Sequence, residues 1–178
     1  MSKEYKFKIV LLGDSGVGKT SIIDRYVNDR FKEKYQPTLG VDFLIKDLRV
    51  RGNKVKLVLW DIGGELQWRN KLNLYLNGAD GAIVVFDLTR PDTFKSLKFW
   101  HEKLSSIAGK IPYIFVGNKL DLKNERKIRL SQVTTFIKRK SYPLYLETSA
   151  KLGSRINKLF TRISEEMIKY KKKINAKK

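Results

Sequence analysis

Apolar residues recur along the chain in short segments, some with the spacing of a strand and others with the spacing of a helix. The strand-like segments alternate apolar and polar residues or are almost continuously apolar; they are 5–12, 41–50, 54–61, 81–87, 113–117 and 144–147. The fourth, 81–87, has the continuous apolar character of a strand buried in a parallel sheet. Arg51-Gly52-Asn53, between the second and third, predicts a tight turn and hence one antiparallel pair.

Between the strands, apolar residues recur every three or four positions, which is typical of helices with one buried face. One helix is predicted over 21–27, a second after Pro91, a third with Ser131 as its N-cap, and a last one over about 156–170. The second helix is predicted to carry Phe94, Leu97, His101, Leu104 and Ala108 on one face.

This alternation predicts an α/β fold with a doubly wound, six-stranded, mostly parallel sheet, one antiparallel strand, and helices on both faces. No repeat or linker interrupts the pattern, so residues 1–178 are interpreted as a single domain with a basic tail at about 169–178. Ligands of such folds bind beyond the carboxyl ends of the strands, so the loops that follow the strands are the candidate sites.

Composition narrows the class of protein. The chain has 178 residues and a formal net charge of +20, which favours polyanionic partners such as nucleotides, anionic lipid or nucleic acid, although a generally basic proteome would give the same balance. It has no cysteine, which excludes disulfides, thiolate metal sites and a prenylated end. We see no signal peptide and no apolar run of transmembrane length, so a cytoplasmic location is expected.

A phosphate-binding loop follows the first predicted strand. Residues 13–20 fit G-x-x-x-x-G-K-[ST], and a strand before them and a helix after them give the structural context that this motif requires. Glycines let backbone N–H groups surround an anion, Lys19 can reach the β- and γ-phosphates, and the Thr20 hydroxyl can ligate Mg²⁺. The predicted phosphate contacts are Asp14, Ser15, Gly16, Val17, Gly18, Lys19, Thr20 and Ser21.

Three further clusters follow later strands. Asp61 ends a strand and can hold Mg²⁺ through a water, and the Gly64 N–H can meet a γ-phosphate. The Asp121 carboxylate can accept two hydrogen bonds from guanine, a donor pair that adenine lacks.

The base would be enclosed by residues from two of these clusters. Asn118 and the aliphatic stem of Lys119 would brace and cover the base on one side. In the third cluster, which includes Ser149, the Ala150 N–H can donate to guanine O6, and Lys151 would cover the other side of the base.

Together these motifs resemble those of Ras-superfamily small GTPases over about residues 5–170, and most closely those of Rab-type proteins. The segments 39–43 and 75–80 are similar to Rab segments that follow switch I and switch II. The resemblance implies a GTP/GDP-dependent switch that binds Mg²⁺, hydrolyses GTP slowly as a monomer, and meets effector, exchange-factor and GTPase-activating proteins. Switch I would cover about 32–42 and switch II 62–77.

The resemblance also assigns individual roles. Phe31 would pack edge-on against guanine, Tyr35 would close over the phosphates, and Thr38 would ligate Mg²⁺ only when a γ-phosphate is present. The catalytic set would be Lys19, Thr38, Gly64 and Glu65, and the metal ligands Thr20, Thr38 and Asp61.

Other aromatic residues have two interpretations. Phe43, Trp60 and Tyr75 match a hydrophobic trio with which Rab proteins dock effectors, but Phe43 and Trp60, like Phe31, could instead be packing residues. His101 is interpreted as a packing residue. Trp68 and Trp100 receive no function, although an exposed Trp68 in switch II would suit a partner contact.

The chain departs from the Rab pattern at two places. Glu65 replaces the usual glutamine that orients the attacking water, and the preceding Ile62-Gly63-Gly64 is more similar to Arf proteins. The tail carries six lysines but no lipidation cysteine. It could contact an anionic membrane, it could be a solvated helix end, or the chain could be a form shortened before a cysteine. An archaeal, bacterial or divergent protist homologue without lipidation would also fit.

Glu65 leaves two functions open: a slow GTPase, or a guanine-nucleotide-binding module that does not hydrolyse GTP. An RNA-associated GTPase is a third interpretation, which the spread of basic residues along the chain does not favour.

Overall fold

Six strands form one central sheet in the order β2-β3-β1-β4-β5-β6. The computed structural model describes residues 2–34, 36–38, 40–65, 70–140 and 144–176. Its strands are β1 (Glu4–Leu12), β2 (Val41–Val50), β3 (Asn53–Ile62), β4 (Gly81–Asp87), β5 (Tyr113–Asn118) and β6 (Tyr145–Glu147). Its α-helices are α1 (Lys19–Asn28), α2 (Leu72–Leu76), α3 (Pro91–Lys95), α4 (Leu97–Ala108), α5 (Leu130–Lys140) and α6 (Ile156–Asn175).

The predicted fold class is confirmed. Only β2 pairs antiparallel, with β3; every other neighbouring pair of these strands is parallel. The β2–β3 turn is the expected tight one: Arg51 (φ 49°) and Gly52 (φ 78°) both adopt positive φ between the paired Val50 and Asn53, as a type I′ hairpin requires.

A hydrophobic core lies on each face of the sheet because the central strands are apolar on both sides. All seven residues of β4 are buried. On one face Ile22 and Ile23 of α1 and Phe160 of α6 pack against the sheet. On the other face Leu76 of α2 and Trp100 of α4 pack against it. This double covering is what makes the fold doubly wound.

Two helix predictions were wrong in detail. The segment after Pro91 forms two helices, which are divided at Ser96, where ψ is −14°. Helix α5 begins at Leu130, so Ser131 lies inside its first turn and is not the N-cap. The Arg129 N–H instead donates to Gln132 Oε1 at 2.8 Å, which is one half of a capping box.

The parallel strands bring their carboxyl ends to one edge of the sheet. Leu12, Ile62, Asp87, Asn118 and Glu147 are the last residues of five strands, and the loops with the predicted chemistry begin just after them. Among the described residues, no helix has both the length and the apolar character needed to cross a membrane.

Candidate nucleotide-binding site

A cleft of about 490 Å³ opens at this edge of the sheet, a size that suits a small-molecule ligand. It brings together most of the residues that the sequence singled out: Ser15, Gly16, Gly18, Lys19, Thr20, Ser21, Phe31, Thr38, Gly64, Glu65, Asn118, Lys119, Asp121, Ala150 and Lys151. Its wall carries five lysines against four acidic side chains, so the cleft favours an anionic ligand.

The phosphate loop connects β1 to the first turn of α1. Gly18, just before α1, has φ 98°, and a Cβ there would collide with the Asn118 amide, so both the backbone conformation and the space require glycine. The Lys19 side chain is only 6% exposed, and its Nζ donates to Gly13 O at 2.8 Å and Asp14 O at 3.0 Å. The lysine charge therefore lies inside the curve of the loop.

Groups from distant segments hold the outer side of this loop. The Asn118 amide donates to Val17 O at 3.0 Å, Arg90 Nη1 donates to Ser15 O at 2.9 Å, and the Trp100 indole donates to Asp14 Oδ1 at 2.8 Å. These bonds occupy outward-facing carbonyls and turn Asp14 away from the cleft.

Two hydroxyls and one carboxylate meet at the start of α1. The Thr20 and Thr38 hydroxyls lie 2.7 Å apart, Thr20 Oγ1 donates to Asp61 Oδ2 at 2.5 Å, and Thr38 Oγ1 lies 3.3 Å from the same oxygen. These are the three predicted metal ligands. Burial raises the pKa of Asp61 above its ordinary value, although the two hydroxyls and the Lys19 charge act in the opposite direction.

The donor set fits Mg²⁺. Within the described part of the chain, Asp61 Oδ1 is buried and has no hydrogen-bond partner, and a cation would compensate it. Oxygen donors from one carboxylate and hydroxyls, completed by phosphate and water, are what Mg²⁺ usually takes. The described residues contain no cluster of three or more His, Cys, Asp or Glu side chains that would suit another metal.

The start of switch II lies against the phosphate loop. A Cβ on Gly64 would collide with the backbone of Asp14 and Ser15, so only glycine allows this approach. The Gly63 N–H donates to Gly40 O at 3.0 Å, which links the two switch segments. Glu65 is half-buried in the cleft wall.

The base-recognition loops support one another. Ser149 is buried beneath the cleft, and its hydroxyl donates to Asp121 Oδ1 at 2.5 Å, which orients that carboxylate. Asn118 Oδ1 accepts from the Thr148 hydroxyl at 3.1 Å and from the Ala150 N–H at 3.3 Å. The two following loops are thereby joined under the place predicted for guanine.

Both lysines predicted to cover the base are held by carboxylates. Lys119 Nζ lies 2.7 Å from Asp87 Oδ2, a fully buried carboxylate at the end of β4. Lys151 Nζ lies 3.6 Å from Glu33 Oε1, and this exposed pair joins switch I to the base loop.

Comparison with known proteins agrees with this geometry. A model of the Ras family matches residues 8–169. Ras-related protein Rab-7a of Paramecium octaurelia is 36% identical over 169 residues, which cover 92% of this chain and 82% of the relative. Ras-related protein Rab-19 of Mus musculus is 36% identical over 166 residues, which cover 93% of this chain and 76% of the relative.

The chain belongs to the Ras family. It is a GTP-binding, Rab-like small GTPase, as its motifs predicted.

Not every predicted site residue of this Rab-like GTPase faces the cleft. Asp14 points to Trp100, the Val17 side chain is fully buried in the core, and Ser149 acts from below through Asp121. Phe31 lines the cleft and also packs against the core, so its two interpretations coexist. Tyr35 lies outside the described residues, as does Trp68.

The three aromatic residues Phe43, Trp60 and Tyr75 of this Rab-like GTPase differ in their exposure to solvent. Phe43 is 58% exposed and stacks on Trp60 with ring centroids 6.0 Å apart. Trp60 and Tyr75 are half-buried against the core. His101 packs against Tyr113, with ring centroids 5.4 Å apart.

Sequence reasoning missed three supporting residues: Arg25, Asp87 and Arg90. None lies in a nucleotide motif, and each contacts a motif from another part of the fold. The sequence held one signal for them: each is a charged residue in or just after a predicted buried element, Arg25 in α1 and Asp87 and Arg90 at and after the end of β4. An unpaired charge at such a place would be costly, so a partner could have been expected.

Proposed function

We propose that this GTPase is a molecular switch that binds GTP and GDP with Mg²⁺, hydrolyses GTP slowly, and presents its two switch segments to partner proteins. The meeting of Thr38 with Thr20 and Asp61 carries the proposal, because it joins switch I to the phosphate loop at one point. A hydroxyl at this position can report whether a γ-phosphate is present.

Each group of site residues would bind a different part of the nucleotide. Lys19 and the loop N–H groups would hold the β- and γ-phosphates, and Gly64 would offer its N–H to the γ-phosphate. Mg²⁺, held by Thr20, Thr38 and Asp61, would screen the phosphate charge when bound. Asp121 would select guanine, supported by the Ser149 hydroxyl.

Partners would meet the exposed side of β2 and β3. Phe43 and Ile45 are both more than half exposed on β2, and Trp60 lies beside Phe43. Such an apolar surface next to the switches suits effector, exchange-factor and GTPase-activating proteins. The GTPase would act as a monomer, and its lysine-rich tail would contact anionic membrane from the cytoplasmic side.

The base-selection test is the sharpest one for this function. A desolvated carboxylate that pairs with two guanine donors discriminates strongly, so ATP should not compete with GTP. Asp121→Asn should shift preference toward xanthine nucleotides, which carry a carbonyl where guanine has an amine. Titration calorimetry measures both. Unchanged GTP preference in this variant would refute the assigned base site.

The phosphate site has its own test. Lys19→Ala should weaken the binding of GTP and GDP alike, and wild-type GTP affinity in that variant would refute the assigned phosphate site.

A module that binds GTP without hydrolysing it is the second candidate, favoured by the position of Glu65 in the cleft wall. A carboxylate there would be repelled by the γ-phosphate and cannot donate an amide hydrogen bond. Single-turnover hydrolysis of pre-bound GTP separates the two functions: measurable phosphate release supports the GTPase, and none over hours supports the module.

A further inference from the structure

Arg25 connects the phosphate-binding helix to the base-recognition loop. It lies in α1, whose first residues are Lys19 and Thr20. Its Nε donates to Ala150 O at 2.9 Å, and its Nη2 donates to Lys151 O at 2.8 Å. One planar guanidinium thus holds two successive carbonyls, a geometry that arginine's fixed fork of donors suits and lysine's single head does not.

The same guanidinium also holds the end of α1, just before switch I begins at about residue 32. Arg25 Nη1 donates to Asp29 Oδ1 at 3.0 Å and to Asp29 O at 3.2 Å. Asp29 ends α1 in the left-handed conformation, with φ 50°, and directs the chain toward Phe31 in the cleft wall. One side chain in α1 therefore contacts both the base loop and the turn that leads into switch I.

Burial makes the two carbonyl contacts the stronger part of this arrangement. The Arg25 side chain is 20% exposed, whereas that of Asp29 is 91% exposed. An exposed ion pair contributes little, but a charged donor bonded to carbonyls in a partly buried setting contributes more. Gly153 lies against the arginine stem, since a Cβ there would be 3.6 Å from Arg25 Cδ, so the base loop wraps around it.

We propose that Arg25 is a positioning residue that sets the rate at which guanine nucleotides dissociate. This inference rests on the proposed nucleotide binding. The sequence predicts that the Ala150 N–H meets guanine; in this structure the N–H donates to Asn118 Oδ1 at 3.3 Å, and Arg25 Nε holds the Ala150 carbonyl. A bound nucleotide leaves when the base loop separates from α1 and from the turn that leads into switch I, and Arg25 holds the base loop to both. Because Arg25 lies away from the γ-phosphate site, GDP and GTP should be affected by the same factor.

The test is dissociation of N-methylanthraniloyl-labelled GDP and GTP, chased with unlabelled nucleotide in a stopped-flow fluorimeter. Arg25→Ala should accelerate both by about tenfold, which corresponds to the loss of about one charge-assisted hydrogen bond. Arg25→Lys should lie between, because it keeps the charge but cannot span both carbonyls. The association rate constants should change much less than the dissociation rate constants.

Two controls isolate the carbonyl contacts. Arg129→Ala makes the same charge change at an exposed position on the other face of the sheet and should leave dissociation unchanged. Asp29→Asn should change it by less than about twofold, since exposed pairs contribute little.

The outcomes are distinguishable from failure of the proposed function. If the wild type binds neither labelled nucleotide, the proposed function fails. If it binds both and Arg25→Ala releases them at the wild-type rate, even with a lower unfolding midpoint, Arg25 is only structural and the inference fails. If Arg25→Ala does not fold, Arg25→Lys decides: faster release of both nucleotides supports the inference, and wild-type release overturns it.

Discussion

The indole N–H of Trp100 donates a 2.8 Å hydrogen bond to Asp14 Oδ1, joining α4 to the phosphate loop across 86 residues of sequence. Trp100 is 1% exposed, so this bond forms at the edge of the core. It turns the Asp14 carboxylate away from the site where the phosphates are expected. A negative charge inside the loop would oppose phosphate binding, so the contact stabilises the fold and also removes a repulsive group from the site.

Removing the indole donor should weaken the protein measurably. Trp100→Phe keeps an aromatic ring but leaves the carboxylate without this donor, so we expect the free energy of unfolding to fall by about 2 kcal/mol. Urea unfolding with saturating GDP measures it. A double-mutant cycle with Asp14→Asn should give a coupling energy above about 1 kcal/mol. In the matched cycle with Asp92→Asn, an exposed carboxylate in α3, the two changes in unfolding free energy should simply add. If the changes also add in the cycle with Asp14→Asn, the Trp100–Asp14 bond contributes nothing to stability.

The sequence predicts the sheet and the cleft because both depend on local patterns. Segment 81–87 is apolar up to its last residue and forms β4, and residues 13–18 form the phosphate loop, with Lys19 and Thr20 at the start of α1. The sequence could not predict hydrogen bonds between distant residues. Arg90 bonds to Ser15, 75 residues away, and Arg25 bonds to Ala150, 125 residues away. No period encodes such pairs; they form only after the sheet has brought the strand ends together.

The error at the start of α5 has a similar origin in local competition. Ser131 has the residue type of an N-cap, but Gln132 provides the reciprocal bond to the Arg129 N–H and places the start at Leu130. Side-chain bonds to nearby backbone groups decide such boundaries, and several residues in one stretch can make them.

The base loop should be sensitive to acid through Glu147. Arg126 donates to both Glu147 oxygens, at 3.0 and 2.6 Å, and the Tyr145 hydroxyl donates at 2.8 Å. Burial alone would raise the pKa of Glu147, but these hydrogen bonds outweigh it and hold the pKa below its ordinary value. A lowered pKa in the folded state stabilises the fold above the unfolded-state value and is lost as pH falls through the folded-state value.

We therefore expect Glu147→Gln to lower the free energy of unfolding near pH 7 by about 3 kcal/mol, because it leaves Arg126 uncompensated. The difference from the wild type should shrink below about pH 4.5. Urea unfolding across this pH range measures it, with Glu166→Gln, an ion-paired glutamate of α6, as the control that should change little. A difference that stays constant down to pH 3 would contradict the ion-pair account.

Membrane contact, if the tail makes it, should depend on charge and salt. The last buried residue of α6 is Ile168, and beyond it the lysines of the described tail are exposed. Each would contribute about 1 kcal/mol near an anionic surface. Vesicles with phosphatidylserine should bind the protein at low salt and release it as the Debye length approaches about 8 Å. Deleting residues 169–178 should abolish binding.

A matched pair of variants separates the tail from net charge. Each replaces four exposed lysines by glutamine, at 169, 171, 172 and 173 or at 95, 98, 103 and 110. Co-sedimentation should fall strongly only for the tail set. Equal loss in both would assign binding to net charge, and salt-resistant binding or equal binding to neutral vesicles would indicate an apolar anchor.

The prediction for Glu65 is the easiest to refute, because its carboxylate could act in two different ways next to a γ-phosphate. It lies in the cleft wall next to Gly64, which the phosphate loop holds close. A carboxylate near a γ-phosphate either turns toward solvent, which leaves hydrolysis slow, or stays at the attacking water and takes its proton. We expect the first, because the side chain is at the start of switch II and can swing outward. Glu65→Gln should then leave single-turnover hydrolysis unchanged or raise it by up to about tenfold, since an amide removes the repulsion and can orient water.

The control for Glu65→Gln is Glu33→Gln, which makes the same charge change at the rim of the cleft, where Glu33 pairs with Lys151. It should not alter the hydrolysis rate. GDP affinity should stay within about twofold for Glu65→Gln, because GDP has no γ-phosphate to meet that side chain. If the wild type is inactive and Glu65→Gln hydrolyses GTP, the carboxylate itself suppresses catalysis and the binding-module function is correct for the native chain. A large loss of rate in Glu65→Gln with binding intact would instead make Glu65 a working catalytic residue, whose carboxylate orients the attacking water or takes its proton.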